Sequence, residues 1–185
     1  HIAASHSDSP TLKIKESSEM NIENQYVKLN VEKYGGMLCA PWFDRPLSVA
    51  GRIIVKDGNR LTTKLINVDR DLLMIPNLAI HMNREVNDGY KYNIQKDMLP
   101  LYRMSNSGKA FKEMIAEEAG VSVDQIKGMD LFLYNRMEGT VWGCDGEFIS
   151  APRLDDLQCA FTSTMALLNS ESDRCIPVVA VFDNE

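Results

Sequence analysis

A histidine and several carboxylates stand where this chain could do chemistry. His6 and Asp8 are two residues apart in A-S-H-S-D-S-P. On an extended segment such residues project to the same side. A carboxylate there can hold one imidazole nitrogen while the other binds a metal. The competing reading is a surface turn in which Asp8 bonds local backbone. Asp155 and Asp156 precede a stretch with helical periodicity. Asp156 reads as its cap, whereas Asp155 reads equally as a cap or as a ligand. Asp183 and Glu185 follow an apolar run, and taken alone Glu185 is an ordinary solvated carboxylate. One imidazole with several carboxylates at strand ends suits a hard or borderline divalent cation. His81, in N-L-A-I-H-M-N-R, ends an apolar stretch and on its own reads as structural.

The elements that must position these groups follow from periodicity. H-I-A-A-S at the start reads as the end of a short buried strand, and Pro10 stops any helical continuation. Val27, Leu29 and Val31 alternate with polar residues, which is the period of a half-buried strand over residues 25–33. A strand over 48–56 leads into Asp57-Gly58, a hairpin signal, and residues 61–68 return. Residues 22–80 therefore read as antiparallel β structure. Residues 107–119 predict a helix capped by Gly120. Ser122 and Gln125 predict a short helix ending near Gly128. Residues 130–134 read as a strand. Leu157, Ala160, Phe161, Thr164, Met165 and Leu168 form one stripe of a helix over 156–168. I-P-V-V-A-V-F, residues 176–182, is a continuous apolar run typical of a buried parallel strand. Cys159 and Cys175 are expected in the core as small hydrophobes.

This order predicts an α/β fold interrupted by a mainly antiparallel β insertion with one or two short helices. The expected division is 1–18, then an inserted β-rich domain at 19–142, then a return at 143–185, with both ends of the chain sharing one sheet.

Bulk properties narrow the function classes. The chain has 185 residues, 44% hydrophobic and 25% charged, with a net charge of -6. Such a balance argues against a nucleic-acid partner held through phosphates. Four widely spaced cysteines include no C-x-x-C pair, so a zinc ribbon or redox dithiol is not expected. Free thiols and ten methionines suit a reducing compartment. No apolar run approaches the roughly 20 residues that cross a bilayer, and no signal peptide is visible. The expected setting is cytoplasmic, without a membrane partner.

Five blocks, in order, carry a resemblance. They are A-S-H-S-D-S-P (residues 4–10), P-W-F-D-R-P-L-S-V-A-G-R (41–52), N-L-A-I-H-M-N-R (77–84), E-F-I-S-A-P-R-L-D-D (147–156) and F-D-N-E (182–185). Together they resemble the aspartyl aminopeptidase and aminopeptidase I family of zinc metallopeptidases. The resemblance implies a catalytic α/β domain built around two Zn2+ ions, with Co2+ or Mn2+ as alternatives, and an inserted dimerization domain. It implies that His6 is a terminal metal ligand, that Asp155 bridges both ions, that Asp8 orients His6, and that Glu185 is the general base. It implies that His81 reaches a partner subunit's active site, binds substrate and stabilises the tetrahedral intermediate. Peptide substrates and a homo-oligomer of dimers, up to a dodecamer, follow from the same resemblance. Ser7 stands where the family has Thr, and Asp156 where it has Asn. The remaining ligands of the family are absent from this chain, so the chain alone is expected to be inactive. Two further readings stay open: a non-catalytic assembly or peptide-binding module, and a homologue that has lost its metal.

Overall fold

The computed structural model describes residues 1–185. Along the chain come β1 (Ile2–His6), β2 (Thr11–Ile22), β3 (Tyr26–Tyr34), β4 (Leu47–Asp57), β5 (Arg60–Asn67), α1 (Ile94–Asp97), β6 (Leu101–Met104), α2 (Phe111–Ala119), β7 (Ile126–Asn135), β8 (Thr140–Trp142), β9 (Phe148–Ser150), α3 (Leu154–Leu168) and β10 (Val178–Phe182). They form two compact units. One combines His1–Pro10 with Met137–Glu185; the other is Thr11–Arg136.

In the first unit β1 pairs in parallel with β10, from Ile2 opposite Val178 to His6 opposite Phe182. The two ends of the chain therefore share a sheet, as the apolar run at 176–182 predicts. Helix α3 packs on both strands. Its predicted apolar stripe is not covered within this chain: Phe161 is 65% and Leu168 72% exposed. β1 likewise buries only Ser5, because β10 is its single strand neighbour. A separate hairpin, β8 with β9, stacks Trp142 against Phe148, centroids 4.8 Å apart.

The second unit is a six-stranded sheet in the order β5-β4-β7-β2-β3-β6, with antiparallel pairings throughout. Its inward positions follow the strand period: Leu12 and Ile14, Leu29 and Val31, Val49 and Ile53, Leu131 and Leu133 are all buried. Helix α2 adds Phe111, Met114 and Ile115 to that core. Each such side chain contributes about 1.5–3 kcal/mol when fully buried. Residues 72–75 tie the sheet round on itself. The Leu73 and Leu47 backbones exchange bonds of 2.9 Å, and the Leu101 N–H donates to the Met74 carbonyl at 2.8 Å. At Gly51 β4 passes β7 so closely that a Cβ would lie 2.2 Å from the Asp130 carbonyl oxygen, so only glycine fits.

The predicted hairpin forms with Asp57 opposite Arg60 and Gly58 at φ 56° as the first loop residue. Gly120 adopts the left-handed cap, its N–H donating to the Ala116 and Glu117 carbonyls. Three readings need correction. Residues 11–22 form strand β2, which alternation misses because the register shifts between Ile14 and Glu19. The helix predicted to end near Gly128 is one 3-10 turn, Val123–Gln125, after which Gly128 lies inside β7. Cys159 and Cys175 are exposed rather than in a core; Cys159 lies in α3, whose outer face this chain leaves open.

Candidate metal centre

His6 is the last residue of β1, where pairing with β10 ends. The Ser7 N–H continues one step further, donating to the Phe182 carbonyl at 2.9 Å, and the Ser7 hydroxyl donates to the same oxygen at 3.1 Å. The strand ends β1 and β10 are thus locked in register as the chain leaves the sheet. Across the turn, the Ser9 hydroxyl donates to the Asp155 carbonyl at 3.1 Å, joining the first motif to the fourth.

The imidazole is held from one side. His6 Nδ1 lies 2.9 Å from Asp8 Oδ1, the arrangement anticipated for residues two apart on an extended segment. His6 Nε2 is turned toward the start of α3, 3.5 Å from Asp155 Oδ1 and 3.8 Å from Asp156 Oδ2. The two acidic neighbours differ in setting: the Asp155 side chain is 92% exposed, that of Asp156 only 15%. The dihedral angles of Asp155 and Asp156 are not helical, and the peptide between them is cis, so regular helix starts after them. Asp156 therefore stands immediately before the regular turns of α3. It accepts the His6 N–H at 3.1 Å.

These contacts shift the acidities of the groups involved. Desolvation is the largest single influence on His6 and pulls its pKa down. The Asp8 hydrogen bond, with the charges of Asp156, Asp8 and Glu185, outweighs it and leaves the pKa raised. Glu185 therefore acts on His6, although it is 179 positions away along the chain, at Phe182-Asp183-Asn184-Glu185. The thiol hydrogen bond from Cys159, then the His6 N–H, hold the Asp156 carboxyl below its usual range. The same bond pushes the Cys159 thiol up.

The structure so brings His6, Asp8 and Asp155 together, with Glu185 in electrostatic reach. His81 belongs to the other unit, exposed in a turn. Its loop is anchored at the base: the Asn77 N–H and side-chain amide donate to the Asp44 carboxylate at 2.9 and 2.8 Å. This joins the W-F-D-R block to the N-L-A-I-H block, a link no spacing in the sequence displays. The sequence reading also missed Asp156 as a partner of His6, seeing only its capping role, and it assigned no task to Ser7 or Ser9.

The donor set suits a borderline divalent ion. Two ligands of a tetrahedral zinc with bonds of about 2.0–2.1 Å are roughly 3.4 Å apart, close to the 3.5 Å between His6 Nε2 and Asp155 Oδ1. No group of three or more His, Cys, Asp or Glu side chains converges into a fuller shell.

Comparison with known proteins agrees in order and extent. A family model described as Aminopeptidase I zinc metalloprotease (M18) matches residues 1–185. A probable M18 family aminopeptidase 2 of Clostridium acetobutylicum is 47% identical over 191 residues. That alignment covers 100% of this chain and 44% of the relative. A protein of the same description from Pseudomonas aeruginosa is 37% identical over 184 residues, 96% of this chain and 43% of its own length. Among solved structures, Chaetomium thermophilum mApe1 superposes with a TM-score of 0.82 at 34% identity, over 99% of this chain and 45% of that one. The yeast mApe1 dodecamer gives 0.75 at 25% identity, over 100% and 43%. The chain thus spans less than half the length of the relatives it matches. Residues 1–185 belong to the M18 aminopeptidase I family of zinc metalloproteases.

Proposed function

We propose that the protein is a zinc-dependent aminopeptidase that hydrolyses the first peptide bond of peptide substrates. The observation that carries this reading is the directed imidazole: Asp8 fixes His6 Nδ1, and His6 Nε2 faces Asp155 at 3.5 Å. In this reading His6 and Asp155 would hold the metal, and Asp8 would keep the ring in the orientation and tautomer that present Nε2. When bound, zinc lowers the pKa of a coordinated water and polarises the scissile carbonyl. Glu185 takes the proton of the attacking water and gives it to the leaving amine. His81 binds substrate at the active site of a neighbouring subunit, which makes a homo-oligomer part of the working enzyme. The yeast relative's dodecamer supports an assembly of that order.

We assign His1–Pro10 with Met137–Glu185 to the catalytic domain and Thr11–Arg136 to the dimerization domain, since the expected boundary at 18/19 would cut through β2. The chain by itself is inactive, since His6 and Asp155 alone leave a metal open to loss. The four cysteines are free, and no helix is long and apolar enough to cross a membrane; the cytoplasm suits free thiols.

The test uses the full-length protein. Zinc content by mass spectrometry and release of N-terminal residues from short unblocked peptides are measured together. Bound zinc, turnover abolished by chelator and restored by zinc, and no cleavage of N-acetylated peptides are expected. Full-length protein that binds no zinc and releases no residue would reject the enzyme and leave an assembly module.

A further inference from the structure

The segment that carries His81 has no strand or helix of its own. Between Asn77 and Tyr92 it runs through short turns, with the Met82 N–H donating to the Ala79 carbonyl at 2.8 Å and the Asp88 N–H to the Glu85 carbonyl at 2.9 Å. Its large apolar side chains stand in the open: Leu78 is 64% and Met82 76% exposed. Such a stretch draws little direction from packing. Where it points is therefore decided at its two ends.

Both ends are held from one place, the consecutive residues Phe43 and Asp44. Asp44 takes the entrance. One carboxylate oxygen accepts the Asn77 N–H at 2.9 Å and the other accepts the Asn77 side-chain amide at 2.8 Å. Phe43 takes the exit, where its ring centroid lies 5.0 Å from that of Tyr92. Tyr92 in turn meets Tyr90 edge-on at 5.4 Å, and the Tyr90 hydroxyl donates to the Asp97 carboxylate at 3.1 Å. The anchor is itself fixed. Phe43 is buried in the core and pairs with Ile75 in an isolated parallel bridge, and the Asp44 N–H donates to the Ile75 carbonyl at 2.9 Å. Asp44 stands at φ 55°, a left-handed conformation uncommon outside glycine, asparagine and aspartate. Such a conformation persists where the surroundings enforce it. Asp44 and Asn77 are both exposed, so their bonds add little to folding. What they fix is direction.

We propose that Asp44 is a positioning residue for His81: with Phe43 it forms a two-point clamp that closes the 77–92 loop at its base and sets where His81 is presented to a neighbouring subunit. This rests on the aminopeptidase reading above, in which His81 serves that neighbour's site. Asp44 touches neither metal nor substrate. A lesion at Asp44 therefore spares its own subunit's metal centre and harms the partner's, as loss of His81 does.

The experiment uses the full-length protein. Asp44→Ala, Asp44→Asn, His81→Ala and His6→Ala subunits are made singly, and also in pairs with two different affinity tags, the mixed oligomers being isolated through both. Zinc content and kcat/KM with an unblocked peptide are measured for each. Asp44→Ala alone keeps wild-type zinc and loses about tenfold or more in kcat/KM. Asp44→Asn, which retains one acceptor for Asn77, loses less and gives the same pattern in mixtures. When Asp44→Ala is mixed with His6→Ala, a sound metal centre on one subunit meets a sound loop from the other, and at least about a quarter of the wild-type rate returns. The mixture of Asp44→Ala with His81→Ala contains no sound loop and stays low. Wild-type kcat/KM in Asp44→Ala would overturn the proposal. So would an Asp44→Ala and His6→Ala mixture that stays low while His81→Ala with His6→Ala recovers, since Asp44 would then act on its own subunit. A low rate in both mixtures removes the role of His81 in a neighbouring subunit, and this inference with it. Zinc-free, inactive wild-type protein would instead reject the enzyme reading itself.

Discussion

At the scale of single residues, the most informative contacts join motifs that lie far apart in the chain. His6 to Asp155 and Asp44 to Asn77 are the clearest pairs. Hydrogen bonds to an ionised carboxylate are each worth about 1.5–3 kcal/mol when shielded from water, and less at an exposed site such as this. The two Asn77 donors hold the Asp44 carboxyl below its ordinary range, opposed by slight burial. They also fix the point where the chain sets out toward His81. Asp44→Ala is therefore expected to free that loop while the barrel-like core stays folded. Trypsin cleavage after Arg84 or Lys91 should quicken about tenfold, with unchanged far-ultraviolet circular dichroism. Cleavage at the wild-type rate would show that other contacts hold the loop. The sequence displayed the types of these residues well, because A-S-H-S-D and L-D-D are compact and carry unusual polarity beside apolar strands. It could not display Asp156 as a partner of His6, since the two meet only where the ends of the chain are brought together.

At the scale of elements, the strands with strict alternation were legible, and those with an interruption were not. β3 and β4 were read nearly to their ends because Val27, Leu29, Val31, Val49 and Ile53 all face inward. β2 was missed because its bulge breaks the period. The outer strand β5 was legible from the turn before it rather than from burial, since only Ile66 of its residues is buried. Polar pairing across strands adds a pH dependence. Asp130 of β7 meets Lys13 of β2 at 2.8 Å and Arg52 of β4 at 3.2 Å, so one carboxylate spans three neighbouring strands. The hydrogen bond from Lys13 is the largest influence and lowers its pKa below the ordinary 3.8; partial burial opposes this, and the Lys13 and Arg52 charges reinforce it. The unfolded chain therefore takes up a proton at higher pH than the folded one. The stabilisation is fully present above the unfolded value and is lost as pH falls through the folded value. Urea midpoints between pH 6 and pH 2 should drop more steeply in the wild type than in Asp130→Asn. Equal acid slopes in the two proteins would remove Asp130 from the account.

At the scale of the molecule, the two units differ in how well this chain satisfies them. Thr11–Arg136 has a closed apolar interior with a helix laid into it. The other unit keeps the large apolar side chains Ile2, Phe161, Leu168 and Ile176 exposed. Residues 11–136 expressed alone should therefore unfold in one cooperative transition, read by urea titration and dispersed amide resonances. The unit made of 1–10 and 137–185 should not. A molten or aggregated 11–136 fragment would show that its core depends on the rest of the protein.

The Thr11 hydroxyl donates to the Leu133 carbonyl at 2.6 Å, across the pairing of β2 with β7. The chain thus enters and leaves this unit on adjacent strands, through a doorway one strand wide. A module plugged in through so narrow a stem can be lengthened, shortened or traded for another while its host sheet keeps its register. The same stem is a natural point for a designer to splice in a fluorescent reporter or a different oligomerising cassette.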